Sequence, residues 1–424
     1  MDLNTLKNRV KTRMRNLVFT NTDSPLKKLL PDEVRHKLVA RFMSHMDSHT
    51  GIPAPYEPGV YPKGINLFGF FRAENGLAQG VKLYAGAMEK TGVPHALINT
   101  DFLDWLPQND TTFDGKLSKT APYAVNVVHI NPDQWQEACG MFPSAWFDRH
   151  YNIGVFLWEL ETVPAQWIPI FDHVNEIWAP STFIADAVRK ATDKPVTVIP
   201  YGIETPCDEA LTRTDFGLSE DDFLVLMMYD SNSYASRKNP GGAIDAFAEA
   251  FGQAPEGAKL VIKISNPKPE DLAFIEERLG KNGPYVLMTE RMERKKLNAL
   301  IRLCDVYLSL HRSEGFGLVM AEAMSLGVPT VATGWSSNTE FMNKDVSCLT
   351  GYDLIPVNDD YQFGDGERVW ADAHVKEAAG YLRRLREDPA YRKQIGEAGQ
   401  KHIREAFSPE ACGEKIRNRL DEII

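Results

Sequence analysis

From about residue 64 the chain alternates short, continuous apolar runs with helical stretches, and it does so in two successive series. The first holds apolar runs at 65–70, 124–130, 153–157, 176–179 and 196–199, with a helical stretch at 80–90. Ser181 opens a helix after the 176–179 run, as an N-cap whose hydroxyl accepts from the first turn. The second series starts after residue 220, with apolar runs at 223–228, 260–264, 285–288, 306–310 and 330–332 and helices at 241–251 and 271–279. Strands that are apolar along their whole length are buried on both faces, which calls for helices above and below a parallel sheet. The expected fold is α/β, with two Rossmann-like, doubly wound parallel-sheet domains. In such sheets ligands bind beyond the carboxyl ends of the strands, so a cleft between the two units is the place to look for a site.

The joint between the series falls near residues 200–206. This divides the chain into a helical N-terminal extension at 1–62, a first domain at 63–203, a second at 204–408 and a C-terminal helix at 409–424 that packs across the junction. A length of 424 residues suits two cores of ordinary size. In the extension, Leu3, Leu6, Val10, Met14 and Leu17 recur at helical spacing while Lys7, Arg9, Lys11, Arg13 and Arg15 occupy the other faces. Such a basic amphipathic helix either lies on an anionic membrane surface or packs on the body of the protein or another subunit.

Charge narrows the function. A formal net charge of −11 argues against a nucleic-acid partner, which demands a broad basic face. Any anionic ligand is then met by locally placed basic residues and backbone amides. The five cysteines (Cys139, Cys207, Cys304, Cys348 and Cys412) are scattered without a C-x-x-C pair, which suits reduced thiols and gives no zinc site. No apolar run approaches the roughly 18 residues of a membrane span. The expected location is the cytoplasm, with peripheral attachment at the inner face of the membrane if the basic helix binds lipid.

The stretch from His311 to Thr330 carries the chemistry: His-Arg-Ser-Glu-Gly-Phe-Gly-Leu-Val-Met-Ala-Glu-Ala-Met-Ser-Leu-Gly-Val-Pro-Thr. It follows an apolar run and opens a helix. Gly315 and Gly317 let backbone approach a ligand, and the helix-opening amides favour negative charge there. Glu314 sits in the turn and Glu322 lies about five residues into the helix, roughly 7–8 Å further along. Two carboxylates so placed can each accept from hydroxyls at different parts of one extended, polyhydroxylated ligand.

This string resembles the E-x7-E signature of the retaining glycosyltransferase family 4, the glycosyl transferases of group 1, whose fold is GT-B. The likeness extends to Ala179-Pro-Ser181, to the segment Ile199-Pro-Tyr-Gly-Ile203 and to residues 330–340. It implies that Glu314 touches the transferred sugar, that Glu322 holds the nucleotide ribose, and that the amides of Gly315, Phe316, Gly317 and Leu318 meet sugar and phosphate. The first domain would be the acceptor side and the second the donor side. Lys238 matches the family lysine that clamps the pyrophosphate. The arginine usual about five residues earlier is replaced by Ser233, and Arg237 is the candidate substitute. The loop holding Asn75, Gly76 and Gln79 is similar to the family's first glycine loop, near donor phosphates and acceptor. Where the family commonly has a histidine, this chain has Trp158-Glu159. Glu159 and His129 are therefore the candidate catalytic groups beside Glu314, with Trp158 and Asn131 on the acceptor side. Each of Glu159, His129 and Asn131 has an alternative reading as a residue bonded to its own loop.

The resemblance implies a hexosyltransferase that moves a hexose, mannose being one candidate, from a GDP- or UDP-sugar to a saccharide or lipid-linked saccharide, as in surface polysaccharide synthesis. No D-x-D triplet occurs, so no metal and no cofactor are expected. The chain also lacks a G-x-x-x-x-G-K-[ST] loop, a dinucleotide fingerprint at Gly315–Gly317 and a closing glycine for a hydrolase elbow at Gly334. Two rivals stand: a nucleotide-sugar epimerase or phosphorylase on the same fold, and a binding scaffold that has lost activity.

Overall fold

The computed structural model describes residues 51–103, 108–253, 255–357, 361 and 367–424. The basic helix expected in the first twenty residues lies outside them. In the first domain β1 (Ile65–Gly69), α1 (Gly76–Thr91), β2 (His95–Asn99), β3 (Val125–Val128), α2 (Trp135–Cys139), β4 (Tyr151–Val155), β5 (Glu176–Ala179), α3 (Thr182–Arg189) and β6 (Val196–Val198) follow in order. The strands form one six-stranded sheet in the order β2-β1-β3-β4-β5-β6, every pair parallel. Residues before β1 pack on this domain: Tyr61 stacks on His150 with ring centroids 3.9 Å apart.

The second domain begins with β7 (Phe223–Asp230), the single turn α4 (Ala235–Lys238), α5 (Pro240–Phe251), β8 (Ala258–Ser265), α6 (Pro269–Leu279) and β9 (Tyr285–Met288). It continues through α7 (Arg294–Leu303), β10 (Val306–Ser309), α8 (Leu318–Ser325), β11 (Thr330–Thr333) and β12 (Cys348–Thr350). Its sheet runs β12-β11-β10-β7-β8-β9, all parallel, the strand order of a dinucleotide-binding fold read from the far edge. A separate antiparallel pair, β13 (Tyr352–Pro356) and β14 (Val369–Ala373), precedes α9 (Val375–Glu387), α10 (Pro389–Ala406) and α11 (Pro409–Ile423).

Both sheets are built mainly of buried apolar residues, as the continuous strands require: Leu67, Val125 and Ile153 in one, and Val225, Leu260 and Val306 in the other, are at most 1% exposed. The strand order reverses between β1 and β3 in the first sheet and between β7 and β10 in the second. The loops after those strands are the places where this architecture holds ligands. They carry Asn75 and His129 on one side, and Lys238 and Glu314 on the other.

The chain crosses between domains twice. At the first crossing Tyr201 is fully buried, the Tyr84 hydroxyl donates to the Ile199 carbonyl at 2.5 Å, and the Ile203 amide donates to the Phe407 carbonyl at 2.7 Å. The second crossing passes close by, since a Cβ on Gly202 would lie 2.6 Å from the Pro409 Cα. α11 then runs back along α1 of the first domain, where Gly413 passes close to the Ala87 carbonyl.

The alternation in the sequence has no counterpart to β2, α7, α9 or α10. The helix expected at 80–90 starts earlier, at Gly76, because the Asn75 side chain accepts from the Ala78 amide at 2.8 Å and caps it.

Candidate functional site

Asn239 explains how Lys238 reaches its place. It adopts a left-handed conformation (φ 51°), ends α4, and caps α5 by accepting from the Gly242 amide at 3.1 Å. Its Nδ2 donates to the Leu310 carbonyl at 2.9 Å, which fastens the β7 loop to the end of β10. Arg312 adds two ties, its amide donating to the Arg237 carbonyl at 2.8 Å and its Nη1 to the Ser236 carbonyl at 2.6 Å. The lysine of one loop and the glutamate of the other are thereby brought into contact across the reversal point.

Lys238 Nζ donates to Glu314 Oε1 at 2.5 Å, and Arg237 Nη1 lies 3.4 Å from Glu314 Oε2. Glu314 is 9% exposed and Arg237 5%. Burial alone raises a carboxyl pKa, yet the adjacent Lys238 and Arg237 charges outweigh it and hold Glu314 at about 2. Burial depresses Lys238, and Glu314 offsets part of that. Arg237 moves the other way: burial lowers it, but Glu159 and Glu314 together raise it. The backbone of Glu314 is held as well, its amide donating to Ser336 Oγ at 2.9 Å.

Glu322 is the fifth residue of α8, 1% exposed, and forms an ion pair with Arg294 of α7 through Oε1. Its Oε2 is buried and has no hydrogen-bond partner among the described residues. A buried carboxylate oxygen left without a donor is costly, and a ligand hydroxyl would satisfy it. Gly317 stands just before α8 with φ 93°, a conformation that favours glycine, and no side chain caps the helix. The backbone from Gly315 to Leu318 is therefore shaped to meet a ligand, whereas the Phe316 ring is buried between Tyr201 and Phe341, with centroids 5.1 and 5.2 Å away.

The first domain contributes Glu159, whose Oε1 lies 3.7 Å from Arg237 Nη2. Ser313 Oγ donates to the Glu159 carbonyl, and Tyr361 donates to Glu159 Oε2 at 3.2 Å. A Cβ on Gly315 would sit 3.5 Å from the Trp158 carbonyl, so this loop lies directly on the Glu314 turn.

The other candidates from this domain are placed differently. Trp158 is 2% exposed, donates Nε1 to the Thr162 carbonyl at 2.8 Å and packs on Trp167, so its ring belongs to the core and not to an acceptor wall. Asn131 accepts the Leu157 amide at 2.8 Å and ties β3 to β4. His129 is fully buried, with Nε2 2.8 Å from the Tyr201 hydroxyl; burial depresses it to about 4, so it is neutral near pH 7 and sits behind the cleft wall. Asn75 caps α1, Gln79 lies in its first turn, and Gly76 is exposed at the helix start.

Arg294, Ser336 and Tyr361 are partners that the sequence does not reveal. Arg294 stands in the charged run Arg291-Met-Glu-Arg-Lys-Lys, which reads as a solvated helix start. Ser336 has φ 73°, a conformation its sequence does not announce. Among the described residues, no three His, Cys, Asp or Glu side chains group as metal ligands.

Two parallel six-stranded sheets whose reversal points face each other across such a cleft define the GT-B architecture of glycosyltransferases. Residues 209–402, most of the second domain, match the family described as Glycosyl transferases group 1. The chain is 28% identical over 210 residues to the D-inositol 3-phosphate glycosyltransferase of a Nocardioides species, covering 46% of this chain and 41% of that protein. It is 25% identical over 223 residues to the GDP-mannose-dependent monoacylated alpha-(1-6)-phosphatidylinositol monomannoside mannosyltransferase of Corynebacterium glutamicum, covering 51% of each. The matches thus span about half or less of these relatives' length. Anabaena HepE, solved with UDP and glucose, shares the fold with a TM-score of 0.60 at 15% identity, over 85% of this chain and 100% of its own.

Proposed function

We propose that the protein transfers a hexose from a nucleotide diphosphate sugar to a hydroxyl of a saccharide or lipid-linked saccharide, with retention of configuration and without a metal. The observation that carries this reading is the convergence of Lys238 and Arg237 on Glu314 at the β7–β10 reversal point, with the unpartnered Oε2 of Glu322 one helix further on. As the glycosidic bond breaks, negative charge grows on the leaving diphosphate. Lys238, Arg237 and the amides opening α8 would stabilise it there and lower the barrier. Glu314 would then hold the sugar and Glu322 the ribose, each as an acceptor for hydroxyls.

In this reading the leaving phosphate helps take the proton of the acceptor hydroxyl, which attacks on the face the diphosphate leaves. No pair of carboxylates acting as in glycosidases is then required. Closure of the domains about residues 199–203 excludes water and limits hydrolysis of the donor. Two relatives named for sugar transfer, one of them GDP-mannose-dependent, support the class of reaction and make mannose a candidate; a UDP-bound neighbour in fold keeps uridine in view. Surface polysaccharide or other glycan synthesis is the proposed setting.

Lys238→Ala and Glu322→Ala test this directly. Each should reduce sugar transfer at least about 100-fold, as loss of one transition-state contact does, with melting behaviour that shows a folded protein. Wild-type rates in either variant contradict the assignment.

A further inference from the structure

Arg237 is buried, yet its guanidinium is not fully used. Nη1 donates to the Ser313 carbonyl at 2.8 Å, and Nη2 reaches the Ser233 carbonyl at 3.3 Å. Those two bonds, with Glu314, already fix the side chain from within its own domain. Nε is buried and bonds nothing among the described residues. An unused donor on a buried cation points to an acceptor supplied from outside, and a phosphate oxygen is the acceptor that suits a guanidinium best.

Glu159 approaches from the other domain and adds a contact that Arg237 does not need for its placement. Its carboxylate stands 3.7 Å away, the longest of the ion-pair distances among these four residues. What Glu159 adds is charge. Lys238 and Arg237 are balanced by Glu314 and Glu159, so the cluster is neutral as it stands. A nucleoside diphosphate brings at least two further negative charges to the same two cations. Within a few ångströms, in a site of low effective dielectric, a fixed carboxylate on one of those cations opposes that arrival.

We propose that Glu159 is a positioning residue acting through Arg237: it is the counter-charge that occupies the guanidinium in the unliganded cleft and competes with the nucleoside diphosphate for it. The proposal rests on the reading of the cleft as a nucleotide-sugar site. Because Glu159 is also grasped by Ser313 and Tyr361, the same residue clasps the two domains before the donor enters. After transfer, the carboxylate's pull on Arg237 weakens the hold on the spent diphosphate and speeds its release.

The test is calorimetric titration of UDP, GDP, dTDP and ADP into the wild-type protein, Glu159→Gln and Glu159→Asp, at about 0.15 M salt. Glutamine keeps the shape and removes the charge, so the nucleotide that binds wild type should bind Glu159→Gln at least about five-fold more tightly. Aspartate withdraws the carboxylate by one methylene and should fall between the two. The gain should vanish in an Arg237→Gln background, as a coupled pair requires. Equal or weaker binding by Glu159→Gln, or a gain that survives without Arg237, overturns the proposal while leaving the nucleotide site intact. A purely structural role would move the melting temperature and not the affinity, and would overturn it too. If none of the four nucleotides binds wild type or Glu159→Gln, this proposal and the donor-site reading fall together.

Discussion

Glu314 keeps its charge where an isolated carboxylate would shed it, because two cations stand against it. Its pKa of about 2 in the folded protein lies below the usual carboxyl value, so the stabilisation it brings is complete above the unfolded pKa and is lost as the pH falls towards 2. Glu314→Gln leaves Lys238 and Arg237 without their shared counter-ion and should cost roughly 3 kcal/mol near pH 7. The deficit in melting temperature should shrink as the pH is lowered from about 5 to about 3, where the Glu314 carboxyl of the unfolded wild-type chain takes up a proton that the folded one does not. A constant deficit across that range would show that the ion cluster is not what Glu314 contributes. Both members of the Lys238–Glu314 pair were legible in the sequence, since each sits in its own local pattern between a strand and a helix. Their contact was not, because 76 residues separate them and only the strand order brings the loops together. His129 and Trp158 mislead at the sequence level for a related reason. A strand end marks a residue as near the cleft but does not say whether its side chain turns outward or, as here, into the core.

At the scale of an element, α1 shows how close packing constrains the wall of the cleft. Gly80 lies where a Cβ would come within 2.7 Å of the Tyr201 ring and 2.9 Å of His129 Nε2, and neither group has room to yield. Gly80→Ala should therefore destabilise the protein by about 1–3 kcal/mol through overpacking, despite alanine's better helix propensity. Urea denaturation measures this; an unchanged or raised midpoint would mean that α1 shifts freely on the sheet. The first turn of α1 is poor in large apolar residues, so the helical pattern becomes visible only further along, although the Asn75 cap was there to be read. The charged helices α9 and α10 were harder still. Their buried faces are narrow, Ala378, Leu382 and Leu385 on α9 and Ile395, Gly399 and Ile403 on α10, at helical spacing but set among many charged residues.

Across the whole molecule, the second domain returns a helix to the first. Glu176, fully buried at the start of β5, accepts from Tyr151, Trp178 and Thr197 and from Arg419 of α11, whose Nη2 lies 2.7 Å away. Arg419→Ala leaves that carboxylate without its cation and should cost about 3–5 kcal/mol. A loss below 1 kcal/mol in chemical denaturation would mean that α11 does not depend on this tie. Alternating apolar runs made two parallel-sheet domains legible, because a strand buried on both faces admits few other arrangements. The joint near residues 200–206 and the returning helix at 409–424 were expected, but the close approach of Gly202 to Pro409 was not, as it depends on contacts between segments far apart in the chain. No helix among the described residues is long and apolar enough to cross a membrane.

The cleft between these domains is proposed to take a nucleotide sugar and to hold its diphosphate with protein cations. The measurement that tests it most directly is a thermal-shift series with UDP-, GDP-, dTDP- and ADP-sugars, with and without magnesium, on the wild-type protein and on Lys238→Ala. A ligand that binds only the folded state raises the melting temperature by mass action. A rise is expected with one nucleotide class, equal with and without magnesium, and absent in Lys238→Ala. No rise with any of the sugars, or one that Lys238→Ala retains in full, would contradict it.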